Sequence, residues 1–337
     1  MAYRHLRSVL FKLDPEAAHS LTLNLVRLAG MFSPARGLLQ LLFEAPQRPV
    51  TAFGLTFKNP VGLAAGYDKD GRAVRGLAAL GFGHIEVGTV TPLAQPGNPR
   101  PRIFRLPEDE AVINRMGFPG KGAEAVAASL QTTRGRRGCI LGVNLGKNRD
   151  TALEEADRDY LSLIQTFLAL ADYLAVNVSS PNTVGLRRLQ ESRLLESLLK
   201  HIAAERERSQ AKRSILVKLS PDLSDAALDD AVEIIIQAGM DGIIACNTTL
   251  TRPALISPHK EESGGLSGNP LRRLSELVLA KIVRCVGGRI PIISAGGIME
   301  PEDARRRLDM GATLVQVYTG LVYRGPGLVR EIVKSLP

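Results

Sequence analysis

Polar residues cluster at the C-terminal ends of short apolar runs. They are Lys69 in AAGYDKDG, Thr89 in GTVTP, Asn144 in GVNLGKN, and Asn177, Ser180 and Asn182 in NVSSPNT. Lys218 in LVKLS, Asn247 and Thr248 in CNTT, and Gly296-Gly297 and Tyr318-Thr319 after the last two runs continue the set. An Asn amide both donates and accepts, so Asn114, Asn177, Asn182 and Asn247 together suit the edge of a small planar amide or ureide, and Lys69 suits a carboxylate. Taken singly, each Asn serves equally well as a helix cap or Asx turn, and Ser180 before Pro181 reads as a turn-stabilising hydroxyl. Lys218 by itself is a buried lysine whose carboxylate partner the sequence does not identify. The diglycines Gly264-Gly265 and Gly296-Gly297 let backbone N–H groups approach a phosphate. Other chemistry is missing. There is no HExxH and no His pair at ligand spacing, so no metal site is expected. No carboxylate dyad stands out, and Asp68 and Asp70 beside Lys69 read as its ion-paired supports.

The elements that must position these groups follow from periodicity. Eight short runs begin at Val61, His84, Cys139, Tyr173, Ile215, Gly242, Pro291 and Leu314. Most are continuously apolar, the pattern of parallel strands buried on both faces. Helical stretches such as 159–170, 194–207 and 225–238 separate them. The pattern predicts a (β/α)8 TIM barrel, with an open doubly wound sheet as the alternative, and chemistry at the strand C-termini. TAFGLTF and RIFRL-PEDE-AVINR read as hairpins. Residues 1–45 read as a separate helical extension, with 46–337 as the barrel domain. Asp14-Pro15 starts a helix carrying Ala18, Leu21, Leu25 and Leu28. Before it, Leu6, Val9 and Leu10 beside Arg4, Arg7 and Lys12 suit either a membrane surface or packing on the barrel, and packing is the expectation.

Composition narrows the class. With 43 Lys+Arg against 34 Asp+Glu the chain carries +9, which favours anionic partners without choosing among them. Absent Trp, few aromatics and scattered basic residues argue against nucleic acid, and the RGRR run at 134–137 reads as a solvated loop. Cys139, Cys246 and Cys285 are too few and too far apart for a disulfide framework. No apolar run is long enough for a membrane span, and the basic N-terminus lacks the pattern of a cleaved signal.

AAGYDKDG, IEVGTVTPLAQPGNPRPRIFRL, INRMGF, GVNLGKN, NVSSPNT, LVKLSPDL, GGLSGNPL and VQVYTG, in this order, resemble the dihydroorotate dehydrogenases. The N-terminal LFKLDPEAAH resembles the helical extension of their membrane-associated, quinone-reducing class. The resemblance implies a barrel holding FMN that oxidises (S)-dihydroorotate to orotate in pyrimidine synthesis and passes electrons to ubiquinone or menaquinone. Carried over, it implies flavin contacts from Ala65, Gly66, Lys69, Thr89, Asn144, Asn177, Lys218, Cys246, Gly268, Gly297, Tyr318 and Thr319. Orotate contacts follow from Lys69, Asn114, Arg115, Met116, Gly117, Phe118, Asn177, Asn182, Asn247 and Thr248. Ser180 occupies the position of the catalytic base, a cysteine in the soluble class, and Thr183 is placed to assist it. Lys218 would stabilise charge on the reduced ring. Leu6, Leu10, Ala18, Leu21 and Leu25 would line a quinone passage, with His19, Arg105 and Tyr318 near the quinone head.

Two departures from the family pattern stand out: Cys246 where threonine is common, and Tyr67 in place of an apolar residue. The implied setting is a monomer held peripherally on the cytoplasmic side of a bacterial cell membrane. Three rivals remain at this point: a soluble-type relative reducing fumarate, a Schiff-base lyase using Lys69 or Lys218, and a lipid-surface binding protein without catalysis.

Overall fold

The computed structural model describes residues 2–135 and 137–337; Arg136 of the RGRR run lies outside the described residues. Thirteen strands follow in chain order: β1 (Val50–Ala52), β2 (Leu55–Phe57), β3 (Val61–Leu63), β4 (His84–Val90), β5 (Ile103–Leu106), β6 (Ala111–Asn114), β7 (Ile140–Leu145), β8 (Tyr173–Asn177), β9 (Ser214–Leu219), β10 (Gly242–Ala245), β11 (Gly265–Gly268), β12 (Ile292–Ala295) and β13 (Leu314–Val317). Eight of them, β3, β4, β7, β8, β9, β10, β12 and β13, close into a barrel in chain order, every pair parallel. The eight apolar runs are these eight strands. Their residues are almost all buried because barrel side chains fill the interior on one face and meet helices on the other.

The first three helices, α1 (Ala2–Leu10), α2 (Pro15–Met31) and α3 (Ser33–Phe43), precede the barrel. Nine more follow or support its strands: α4 (Val74–Ala78), α5 (Ala123–Gln131), α6 (Ala156–Phe167), α7 (Ser192–Arg208), α8 (Asp225–Gln237), α9 (Arg272–Val286), α10 (Pro301–Asp309), α11 (Thr319–Arg324) and α12 (Leu328–Ser335). The cap expected at Asp14 is present: its carboxylate accepts from the amides of Glu16 and Ala17, with Pro15 opening the helix.

Below the barrel, β1 and β2 form the hairpin expected from TAFGLTF. Phe53 and Gly54 both take positive φ, the geometry a two-residue hairpin turn requires. The Phe53 ring packs against Phe57 and Tyr173, and Ser214 Oγ donates to the Phe53 carbonyl at 2.9 Å, which closes the lower end. At the opposite end β5 and β6 form the second expected hairpin, but β11 adds a third strand across β6. This corrects the role of Gly264-Gly265. A Cβ on Gly264 would lie 2.3 Å from the Asn114 carbonyl oxygen, and one on Gly265 1.9 Å from Thr248 Oγ1. These glycines allow close strand contact, and they do not line the main cleft.

The N-terminal extension differs most from expectation. Leu6, Val9, Leu21, Leu25 and Leu28 are exposed, so of the α2 stripe only Ala18 is buried. Contact instead runs through Ala18, Leu23 and Gly30, with α2 crossing α4 almost backbone to backbone at Gly30 and Gly76. Arg137 departs from the solvated-loop expectation: it donates to the Leu170 carbonyl at 2.6 Å and pairs with Asp172.

A Cβ on Gly76 would sit 2.0 Å from the Val26 carbonyl oxygen. Gly76→Ala should therefore wedge α2 away from α4 and destabilise the protein by about 1–3 kcal/mol. The expected outcome is a lower thermal midpoint and faster proteolytic cleavage within residues 1–45.

Candidate active site

One large cleft opens at the C-terminal ends of the barrel strands, beneath the β5–β6–β11 sheet. It encloses about 1040 Å³ of space free of protein atoms, room for a cofactor-sized ligand and a small substrate. Of the residues singled out in the sequence, Ala65, Gly66, Lys69, Thr89, Asn177, Ser180, Lys218, Cys246, Gly268, Gly297, Tyr318 and Thr319 line it. So do Asn114, Met116, Gly117, Phe118, Asn182, Asn247 and Thr248. The four amides that the chain scatters over more than 130 positions thus share one wall.

Two expected residues stand elsewhere. Asn144 is fully buried behind the cleft, where its Oδ1 accepts from Thr89 Oγ1 at 2.6 Å and Asn177 Nδ2 at 3.0 Å. Arg115 turns outward: it pairs with Glu262 at 2.7 Å and lies over the Phe104 ring, so its side chain faces a shallower cleft on the far side of the loop. The Glu262 carboxylate draws it there, 147 positions away in sequence.

The polar wall rests on a residue the sequence reading passed over. Glu86 on β4 is fully buried inside the barrel. Its carboxylate accepts from Asn144 Nδ2 (2.8 Å), Gln316 Nε2 (2.9 Å) and Tyr173 OH (3.1 Å), and Lys218 Nζ stands 3.8 Å away. Glu86 is the carboxylate partner of Lys218. A single Glu within HIEVGTV was the available signal, since a lone charge in an apolar strand needs a buried partner. From Glu86 the hydrogen bonds run upward through Asn144 to Thr89 and Asn177. Asn177 Oδ1 then accepts from Ser179 Oγ at 2.9 Å and Asn247 Nδ2 at 3.4 Å. Asn182 Nδ2 donates to Asn114 Oδ1 at 3.2 Å, joining two loops across the cleft.

Ser180 is buried, and its Oγ accepts from the amide of Asn182 at 3.2 Å. Thr183 Oγ1 nearby is buried with no hydrogen-bond partner. Arg187, also unanticipated, fastens the 179–183 loop: it donates to the Ser179 and Thr248 carbonyls and pairs with Asp222 at 2.8 Å. Asp68 and Asp70 do not pair with Lys69. Asp68 accepts from the Arg72 and Ala73 amides and Asp70 from the Lys121 amide, each holding a turn. Lys69 Nζ donates to the Gly66 carbonyl at 2.7 Å, and burial, only partly offset by Glu16, pulls its pKa down to about 8.

Toward the extension the cleft meets a line of rings. Tyr318 packs edge-on against Tyr67 (5.7 Å), and Tyr67 against His19 of α2 (4.9 Å). Burial, reinforced by the Lys69 charge, lowers the His19 pKa to about 3, so the ring is neutral. Arg105 lies further out, its guanidinium donating to the Leu10, Phe11 and Leu13 carbonyls and stacked over Phe11. It clasps the turn between α1 and α2. Beneath Gly296-Gly297 the fully buried Arg307 donates to the Gly296 carbonyl at 3.1 Å and Ser275 Oγ at 2.7 Å. Among the described residues no group of His, Cys, Asp and Glu could hold a metal.

The family model described as dihydroorotate dehydrogenase matches residues 49–337. This chain belongs to that family. The dihydroorotate dehydrogenase (quinone) of Acidithiobacillus ferrooxidans is 49% identical over 348 residues, covering 100% of this chain and 95% of that protein. The protein of the same name from Halorhodospira halophila is 47% identical, covering 99% and 97%. A crystal structure of the Eimeria tenella family member in complex with ferulenol superposes with a TM-score of 0.88 at 39% identity, covering 95% of this chain and 90% of that one. In this family member the Glu86 network supports the cleft, so Glu86→Gln, which strands the Lys218 charge, should cost about 3–5 kcal/mol. Adding Lys218→Met should restore part of that stability, as read from urea unfolding.

Proposed function

We propose that this chain is a flavoprotein oxidoreductase that oxidises (S)-dihydroorotate to orotate with a quinone as acceptor, the redox step of pyrimidine biosynthesis. The observation that carries the reading is the convergence of Asn114, Asn177, Asn182 and Asn247 with Lys69 and Ser180 in one cleft. Four amides match a ureide ring, one ammonium its carboxylate, and one hydroxyl a proton to be removed.

The cleft suits FMN on its own terms. Gly268 and Gly297 line it and carry no side chain, so the wall there is bare backbone, and a Cβ on either would meet the backbone of Glu110 or Arg272, which holds these turns close. A phosphate would sit at the Gly296-Gly297 turn, close to the start of α9. Ala65, Gly66, Lys69, Thr89, Asn177, Lys218, Cys246, Tyr318 and Thr319 would hold the remainder, with Asn144 supporting Thr89 and Asn177 from behind. Bound there, FMN would supply the two-electron acceptor for the hydride from ring carbon 6 of dihydroorotate and the link to the quinone. Lys218, an ammonium at the edge of the cleft, stabilises negative charge beside it. Cys246 would reach a ligand through its backbone, since its thiol is directed at the Ala295 carbonyl.

Lys69 takes the substrate carboxylate, and the loop of Asn114, Arg115, Met116, Gly117 and Phe118 covers the ring, Arg115 through its backbone. Ser180 Oγ removes the proton from ring carbon 5. Serine is a weak base, so Ser180 would pass its own hydroxyl proton to water as it takes the one from ring carbon 5, and the Asn182 amide donating to its Oγ favours the alkoxide character this creates. The Thr183 hydroxyl, buried three residues on without a partner, would assist that transfer.

Residues 1–45 form a unit that delivers the quinone, ubiquinone or menaquinone, past His19, Tyr67 and Tyr318, with Arg105 holding the turn outside. Leu6, Val9, Leu25, Phe32, Leu38 and Leu41 are exposed on these helices near Arg4, Lys12 and Arg27, a composition suited to the surface of an anionic membrane. Among the described residues no helix is long and apolar enough to cross one. The bacterial relatives support a peripheral position on the cytoplasmic face of a cell membrane.

Anaerobic dihydroorotate should bleach the flavin absorbance of the purified protein, and a soluble quinone should restore it while fumarate does not. Ser180→Ala should keep orotate binding and slow the bleaching by about 10²–10⁴-fold. A flavin that dihydroorotate leaves oxidised would overturn the reading. Orotate affinity, followed by flavin difference spectra, should be constant below about pH 8 and weaken above it as Lys69 loses its proton. Lys69→Met should bind weakly with no such pH dependence.

A further inference from the structure

The two loops that close over the substrate side of the cleft, 114–118 and 179–183, are tied together by a residue outside it. Asn98 Nδ2 donates to the Arg115 carbonyl at 2.9 Å and to the Asn182 carbonyl at 3.1 Å. The Asn98 amide donates to the Met116 carbonyl at 2.9 Å. Gly117 lies so close that a Cβ there would come within 2.7 Å of the Asn98 carboxamide carbon. One side chain thus spends both amide hydrogens bridging the loop with Asn114 to the loop with Ser180, and an aspartate of the same shape could make neither bond.

Asn98 is itself held. Arg102, buried at 6% exposure, donates from Nη1 to the Asn98 carbonyl at 2.9 Å and to the Pro96 carbonyl at 2.6 Å. Its remaining donors form a two-pronged bond to Glu16, Nη2 to Oε1 at 2.7 Å and Nε to Oε2 at 3.1 Å. Glu16 lies in the first turn of α2, and the bond crosses 86 positions of sequence. A bidentate arginine–carboxylate pair is directional as well as strong. The path from α2 to the base loop is therefore continuous: Glu16, Arg102, Asn98, Asn182, then the amide on Ser180 Oγ.

We propose that Asn98 is a positioning residue that sets the base loop against the 114–118 loop, and that Glu16 and Arg102 lock it so that the N-terminal extension helps build the dihydroorotate site. The extension then has two roles, one on each side of the cleft. This rests on the functional reading above.

The test uses the full-length holoenzyme in mild detergent with Asn98→Ala, Asn98→Asp and Glu16→Gln. Orotate Kd is read from the flavin difference spectrum, and KM is measured separately for dihydroorotate and a soluble quinone. Losing two bonds that leave carbonyls unpaired should raise orotate Kd and dihydroorotate KM about tenfold in both Asn98 variants. Glu16→Gln should raise them about threefold, and quinone KM should stay within about twofold of wild type in all three. Unchanged orotate Kd in the Asn98 variants, with only a lower melting temperature, would overturn the positioning role. If those variants do not fold, Glu16→Gln decides: an orotate Kd equal to wild type, or a quinone KM rising in parallel, overturns the link to the extension. A wild-type protein whose flavin spectrum ignores orotate would instead remove the functional reading itself.

Discussion

A carboxylate sealed inside a barrel has to be surrounded by donors, and the requirement set by Glu86 organises the upper half of this protein. Three side chains from three other strands, Asn144, Tyr173 and Gln316, donate to it, and Lys218 from a fourth balances its charge. Each is thereby held in one rotamer. Asn144 transmits that constraint to Thr89 and Asn177, and Asn177 transmits it to Ser179 and Asn247. Polar networks of this kind are costly when incomplete and rigid when complete. Rigidity is what a site of neutral amides needs, because its selectivity depends on where donors point.

Much of the barrel was legible because parallel strands buried on both faces leave uninterrupted apolar runs, and because polar residues gathered at the same end of each. The hairpin at Phe53-Gly54 was legible from its turn. Strand β11 was not: Gly-Leu-Ser-Gly has no alternation to read, and it is a strand only because β6 offers it an edge. Glu86 was visible as an odd charge, but its four partners come from four strands and no local pattern unites them. Arg115 sits inside the 114–118 loop in sequence and still faces away from the cleft, because Glu262 draws it from outside. The apolar stripe of α2 was plain from its spacing, whereas periodicity does not say what covers a stripe, and here the barrel does not.

The extension and the barrel meet through two unlike contacts. Gly30 and Gly76 allow backbones to touch, which fixes separation. Glu16 with Arg102, and Arg105 with the turn carbonyls after α1, are directional and fix rotation. Together they hold α2 so that His19 reaches Tyr67 while the leucines beside it stay uncovered.

The small hairpin beneath the barrel has a consequence for traffic. Phe53 and Phe57 pack across the lower end of the cylinder, and the residues that line the cleft stand at the other. A donor and an acceptor that both use this cleft must therefore be sorted by direction around a single rim.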